Sequence, residues 1–544
     1  MPFQKFNING KEYQIITRNK IYEPKYREKL SKILLTKYGR VITGENTIKA
    51  LIESYDFFTE EFSKVLGGVH DLMFYFFVFQ LHEQTAELSY LRSVNKIKIP
   101  VDSTYFAQYR RILKLILQES CSIEISENIQ PSLKWMDKTL KIIEELVFLG
   151  SFAFDMVNVI SEQKLTEGSV QITFKDDLYV FGNPPEWEGF FGLFHENFDE
   201  QMDGSINDAS LQKKFDKVLK DEFHIDLTEL SIIIESVSER LYNQMPPRFC
   251  MITELIDIFK EESESPYIEN FILGLILNKN NVAKLKSGIY SSYNGDRLIH
   301  RPFLTINIED TPCILFSKYT FLEAINTLFQ NQITHGKLPA EWKQIPFIKK
   351  VQGNLIQYHK DILENPVERA LSEKKISHDR NVKTLKAINH YENHSINNNP
   401  GEIDFIFILE KIIYLADCKN LTKRYEMHGY YQDLTKFEPY NTKMTEKVSF
   451  MRNNLDKLER HLRIITRNQS LDIREYEIEG IFIVNTPTLY AVNAPFKVYS
   501  FYNFELLIDG EDVYEGVISV PDGNDTEIPW PYIDNYNSYL SQKS

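Results

Sequence analysis

Two apolar runs separated by only two residues constrain this chain more than any other feature. Ile403-Asp404-Phe405-Ile406-Phe407-Ile408-Leu409 leads through Glu410-Lys411 into Ile412-Ile413-Tyr414-Leu415-Ala416-Asp417-Cys418-Lys419. Both runs are β-branched and aromatic and of strand length, so they read as an antiparallel hairpin. Strand side chains alternate faces, which puts Asp404 with Glu402, Ile406 and Ile408, and Asp417 with Lys419, Leu415 and Ile413. With Glu410-Lys411 as a two-residue turn, Leu409 opposes Ile412 and Asp404 opposes Asp417, their Cβ atoms about 5 Å apart. Glu-Lys is not a favoured turn pair, so a longer loop or a bulge is the alternative; an even shift would keep the shared face and lose the direct opposition. Two carboxylates placed in this way repel unless a cation lies between them. A hard divalent ion with oxygen ligands, Mg²⁺ or Mn²⁺, resolves that conflict. Lys419 reaches the same place, where an ammonium can position a metal-bound water or stabilise a pentacovalent phosphate.

The surroundings of the hairpin alternate between the two periodicities. Residues 382–391, 478–484 and 496–504 read as further strands, and 445–467 as one long helix. Asn365-Pro366 is a plausible helix start ahead of Val367-Glu368-Arg369-Ala370-Leu371. The predicted order is helix, three strands, helix, two strands, a mixed α/β pattern.

That order, with Asp404 on one strand and Asp417-Cys418-Lys419 on the next, resembles the PD-(D/E)XK, or restriction-endonuclease-like, nuclease superfamily over roughly residues 355–510. Ile403 stands where the first motif usually has Pro. The resemblance implies a restriction-endonuclease-like α/β domain with a mixed central sheet. It implies Asp404, Asp417, Lys419 and Glu368 as the catalytic set. The metal would be held by Asp404, Asp417, Glu368 and the backbone carbonyl of Cys418. Glu364 and Glu373 compete with Glu368 for the helix position. Arg452, Arg460 and Arg463, with Lys423 and Arg424 just after the motif, supply a candidate contact to the phosphate backbone.

The rest of the chain has no such signature. Residues 1–20 read as a strand pair about Asn9-Gly10, about 25–150 as helices, 170–181 as a second hairpin about Asp176-Asp177, and 186–345 as mostly helical. The expected architecture is multidomain: a mostly α-helical region over 1–350, divisible near 150–185, the nuclease-like domain over 351–510, and a tail over 511–544. The acidic loop 195–204 lacks the spacing of a calcium-binding loop, and His378, His390 and His394 lack that of a helical zinc site.

Composition sets the outer bounds. A net charge of −15 across 544 residues excludes nucleic-acid binding through the whole surface, so any such contact is local. Four widely spaced cysteines argue against a disulfide framework and fit a reducing cytoplasm. No signal peptide is evident, and the apolar run LMFYFFVFQL at 72–81 is too short for a membrane span. The expectation is a cytoplasmic metal-dependent endonuclease, DNA its favoured substrate, with a restriction or antiviral role suggested by domain pairing alone. Residues 1–350 would receive a trigger or protein partner, and dimerisation would allow two strands to be cut. The alternative is an inactive nuclease-like fold serving as a nucleic-acid-binding or protein-interaction scaffold.

Overall fold

The structure, a computed structural model, describes the chain except for residues 1–2, 18–19, 96, 166–169, 183–212, 214–215, 218, 241–246, 291–295, 310, 332–336, 423, 425–426, 511–516, 521–525 and 530–544. It divides into two compact units. One comprises residues 1–160, 171–182 and 210–356, the other residues 161–170, 183–209 and 357–544. Loop 195–204 lies outside the described residues.

The first unit opens with the hairpin Phe3–Ile8 and Lys11–Ile16, turned at Asn9 and Gly10, both at positive φ. The helices Glu23–Tyr38, Glu45–Gly67, Leu72–Asn95 and Ser103–Ser120 follow, and the apolar run at 72–81 lies on the third of them. Among the described residues no helix is long and apolar enough to cross a membrane. The strands Gln171–Lys175 and Leu178–Gly182 form the second expected hairpin, with Asp176 and Asp177 at positive φ. Among the described residues of 186–345 helix predominates, as expected, but a sheet lies among the helices that the reading did not include. Arg248–Met251, Phe303–Ile308 and Thr311–Phe316 are strands of one sheet, joined by Glu124–Ile125 and Ile276–Leu277. Phe303–Ile308 and Thr311–Phe316 flank Glu309 at positive φ, and their inner residues Leu304, Ile306, Ile314 and Leu315 are buried. Runs this short are fixed as strands by partners distant in sequence, which periodicity does not report.

The second unit is built on one sheet. Helix α1 (Ile348–Glu373) enters it, followed by β1 (His378–Val382), β2 (Ile403–Leu409) and β3 (Ile412–Lys419). Then come α2 (Met427–Asn453), α3 (Leu455–Thr466), β4 (Glu477–Val484), β5 (Lys497–Ser500) and α4 (Phe501–Ile508). The strands lie in the order β1-β2-β3-β4-β5. The first three pair antiparallel, and β4 and β5 add parallel to β3. The sheet is covered on both faces. Ile406, Ile413, Leu415 and Phe482 pack with Phe437, Met444, Val448 and Met451 of α2. Phe405, Phe407, Tyr414 and Ala416 pack with Leu363, Val367 and Leu371 of α1 and Phe504 of α4. Gly480 lets α2 approach closely, since a Cβ there would stand 2.6 Å from Met444 Cγ.

Three boundaries differ from expectation. The strand predicted over 382–391 is displaced to His378–Val382, because Ile388 and Tyr391 are 77% and 99% exposed and have nothing to pack against. The strand predicted over 496–504 stops at Ser500, whose hydroxyl accepts from the Asn503 N–H and caps α4. The single helix predicted over 445–467 starts earlier, at Met427, and breaks at Asn454, which leaves helical geometry at φ −128°. Beyond residue 510, Val517–Val520 and Thr526–Pro529 form an antiparallel pair where only a tail was expected.

Candidate active site

The β2–β3 hairpin sets the site. Its ladder runs from Leu409↔Ile412 to Phe405↔Ala416, the register of a two-residue turn, with Glu410 at positive φ. Beyond Phe405 the pairing gives way. The Asp404 carboxylate turns to the strand opposite and accepts the Cys418 N–H at Oδ2, 2.7 Å away. Asp404, Asp417 and Lys419 all lie on the sheet face covered by α2. Lys419 Nζ stands 3.3 Å from Asp417 Oδ2 and 3.9 Å from Asp404 Oδ2, and sits over the Tyr440 ring, 5.0 Å from its centroid. Beyond Lys419 the chain is tied to the end of β4: the Leu421 N–H donates to Asn485 Oδ1, and Asn485 Nδ2 donates to the Leu421 carbonyl.

A fourth group completes the cluster. Lys447 of α2 donates to both oxygens of Asp417, each at 2.7 Å. In the sequence Lys447 falls only within the helix predicted over 445–467, with nothing local to tie it to the hairpin. Its signal was position: Lys447 falls on the same helical stripe as Tyr440, Met444, Val448 and Met451, where a solvated lysine has no place.

Burial divides the cluster in two. The side chains of Asp417 and Lys447 are both 6% exposed, whereas those of Asp404 and Lys419 keep 19% and 18%. The carboxyls respond differently. Burial raises Asp404, and the charges of Asp417 and Glu364 add to the effect, so it is pushed up to about 6 despite Lys419 and the Cys418 N–H. Burial also acts on Asp417, but Lys419 and Lys447 outweigh it and hold that carboxyl below its ordinary value. Lys419 is disfavoured by burial yet ends above its usual range, because Asp417 and Asp404 favour its charge. The Cys418 thiol packs on the opposite sheet face and is pushed far up by burial, which suits a small core residue and not a nucleophile.

The remaining expected residues scatter. Glu368 is 43% exposed at its side chain and is held by Arg380 at 2.7 Å. Glu364, one turn earlier, is 5% exposed at its side chain, accepts from the same Arg380 at 3.0 Å, and is the helix acid whose charge reaches Asp404. Asp361 and Asn365 complete the ring around that guanidinium.

The expected phosphate contacts are already engaged. Arg424 is not a surface cation: it forms a buried pair with Asp433, Nη2 to Oδ1 2.8 Å. Arg452 donates to the Ile478 carbonyl, Arg460 pairs with Glu392 and Asp456, and Arg463 pairs with Glu459 and donates to the Leu471 carbonyl. Lys423 lies outside the described residues.

Among the described residues no group of three His, Cys, Asp or Glu side chains gathers as a metal site. The carboxylates of Asp404 and Asp417 adjoin through Lys419 at the ends of β2 and β3, and with the Cys418 carbonyl would offer an all-oxygen set of the kind Mg²⁺ and Mn²⁺ take. The raised Asp404 carboxyl marks where negative charge is least compensated, and the contacts seen for it fall on Oδ2 alone among the described residues. Asp417 already accepts two ammonium groups, so a divalent ion would share or displace Lys447. On these grounds the residues fit a hard divalent ion, with Asp404 the open side. Comparison with protein-family models, with curated proteins and with solved structures found no match.

Proposed function

We propose that the second unit hydrolyses phosphodiester bonds of nucleic acid with the help of a divalent metal, DNA being the first substrate to test. The observation that carries this reading is the convergence of Asp404, Asp417 and Lys419 on one half-open sheet face. The element order lends support: a helix, three antiparallel strands, helices and two parallel strands, close to the order the nuclease resemblance implies. Asp404, Asp417 and the Cys418 carbonyl would hold Mg²⁺ or Mn²⁺, which when bound neutralises phosphate charge and acidifies a coordinated water. The Cys418 N–H fixes the rotation of the Asp404 carboxylate. Lys447 anchors Asp417 from behind. Lys419, the more exposed of the two lysines, presents its ammonium toward the phosphate, where charge builds in the transition state.

The test is cleavage of plasmid, linear DNA and RNA by the purified chain in Mg²⁺ or Mn²⁺, beside Asp417→Ala and Lys419→Ala. Loss of cleavage by at least a hundredfold in both variants is expected; undiminished cleavage in either refutes the assignment. One observation favours a second reading, a nuclease-like binding scaffold. Lys447 and Lys419 together already neutralise Asp417 without a metal. Wild-type protein that binds nucleic acid and cleaves none of these substrates would establish that reading instead.

A further inference from the structure

The loop between β1 and β2 leaves and returns at the end of the sheet that carries the candidate site. Val382, the last residue of β1, pairs with Ile403, and Asp404 comes next in β2. Residues 383–402 are therefore rooted beside that carboxylate. The foot of the loop is built into the core, where Leu385 and Ile396 join Val382 and Ile403 in one buried cluster. Thr384–Leu385 and His394–Ser395 pair antiparallel, and the His394 ring stacks on Phe450, 5.6 Å between centroids. Phe450 lies one turn beyond Lys447 on α2, the lysine that holds Asp417.

Above this foot the backbone is fixed and the side chains stand in water. The Lys386 N–H donates to Nδ1 of the buried His461, 3.0 Å away, and the Ala387 N–H to Asn393 Oδ1 at 2.7 Å. Asn389 Oδ1 accepts the Tyr391 N–H, the Asn389 carbonyl accepts the Glu392 N–H, and Arg460 pairs with Glu392. Between these ties Ile388 and Tyr391 are 77% and 99% exposed. A single exposed apolar side chain is ordinary, but two on one tethered tip beside a candidate active site mark a contact surface. The charges around the tip are matched: Glu392 by Arg460, Lys386 by Asp379, and Lys383 by Glu402 at 3.6 Å. What the tip offers a ligand is an aromatic face, not net charge.

We propose that Tyr391, with Ile388 on the same tip, stacks on an unpaired base of the nucleic acid whose phosphodiester lies at Asp404 and Asp417. This rests on the nuclease reading and adds a substrate class to it: nucleic acid with an unpaired base near the cut, as in a single strand, a gap or a flap. A tyrosine presents a large, rigid face at low entropic cost, and stacking on it is open to any base. Bases in a duplex hide their faces within the stack, so a lone projecting ring favours an unpaired one.

The experiment measures binding of the full chain, in EDTA, to a single-stranded oligonucleotide, a duplex, and a duplex with one unpaired 2-aminopurine. Cleavage of the same substrates in Mg²⁺ is the second readout. Wild type, Tyr391→Ala and Tyr391→Phe are compared. Wild type should bind the two substrates with unpaired bases more tightly than the duplex and quench the 2-aminopurine. Tyr391→Ala should weaken that binding by about fivefold or more and lose the quenching, while Tyr391→Phe keeps both. The slope of log affinity against log salt should be the same in Tyr391→Ala, since no phosphate contact is lost. Neither substitution should move the melting temperature, because the ring lies in solvent. Equal binding by Tyr391→Ala, equal loss in Tyr391→Phe, a reduced salt slope, or tighter binding of the plain duplex would each overturn the proposal. So would a change from dimer to monomer in Tyr391→Ala with nucleic-acid binding intact, which would make the tip a contact between copies. Wild type that cleaves no better than Tyr391→Ala sinks this inference alone; wild type that neither binds nor cleaves sinks the nuclease reading with it.

Discussion

Lys447 holds Asp417 by both carboxylate oxygens, from a helix that crosses the strand carrying that aspartate. A lysine so placed is a tethered cation at a position where a nuclease of the proposed kind would bind a free one. Lys447→Met should therefore destabilise the metal-free protein by about 2–4 kcal/mol, the low side of the cost of breaking a buried pair because Lys419 remains. Excess Mg²⁺ should recover part of that loss in the variant and stabilise wild type less. Urea unfolding with and without Mg²⁺ checks this; equal stabilisation of both proteins would mean that Lys447 and the ion do not compete.

Asp404 makes stability depend on pH in a defined direction. Its folded value of about 6 lies above the roughly 3.9 of an unfolded aspartate, so between these values the folded state holds the extra proton. The contribution of Asp404 to stability is then greatest below about pH 4, falls as pH rises to about 6, and is flat above. Asp404→Asn should remove that slope and raise metal-free stability at pH 7 by on the order of 1–3 kcal/mol. The same substitution should lower Mg²⁺ affinity. Unfolding curves across this pH window decide the first point, and parallel profiles for the two proteins would count against it.

The helix acids give a contrast between neighbours. Glu364 is buried and its charge reaches Asp404, while Glu368 is largely exposed and bound to Arg380. Glu364→Gln should lower the titration midpoint of Asp404 and alter cleavage or metal affinity severalfold. Glu368→Gln should change either by less than a factor of two and cost under about 1 kcal/mol, as exposed ion pairs do. NMR titration of the Asp404 carboxyl reads the first effect directly; equal effects of the two substitutions would return Glu368 to the site.

Arg424 tests the distinction between a phosphate contact and a structural cation. Its pair with Asp433 is buried, and the Thr488 hydroxyl donates to the same carboxylate. Arg424→Ala should cost about 3 kcal/mol or more by stranding Asp433. If nucleic acid binds, the slope of log affinity against log salt should be unchanged, since no phosphate contact is lost. A slope reduced by about one charge would put Arg424 back at the interface.

What the sequence revealed of the site follows from how local each feature is. The hairpin was legible because two strongly β-forming runs stand two residues apart, which leaves the register little freedom. Lys447 was not, since its partner lies 30 residues away and only the fold brings them together. The choice of helix acid turned on Arg380, which draws both Glu364 and Glu368 and can be ranked only with burial known. In the first unit, Phe303–Ile308 and Thr311–Phe316 share the signature of the β2–β3 hairpin, apolar runs around a turn beginning with a positive-φ glutamate. The breaks at Asn454 and Ser500 are set by single backbone and capping events within otherwise continuous apolar patterns.

Cys418 presents its amide to Asp404 and its sulfur to the layer on the other side of the sheet. The side chain of the middle residue of Asp417-Cys418-Lys419 is thus chemically silent and mechanically constrained. A wider side chain there would press on the layer beneath and roll the strand, swinging the aspartate before it and the lysine after it together. Tolerance at this one position would therefore be governed by volume rather than polarity, and a drug or mutation that swelled the hidden layer could disarm the open one without touching it.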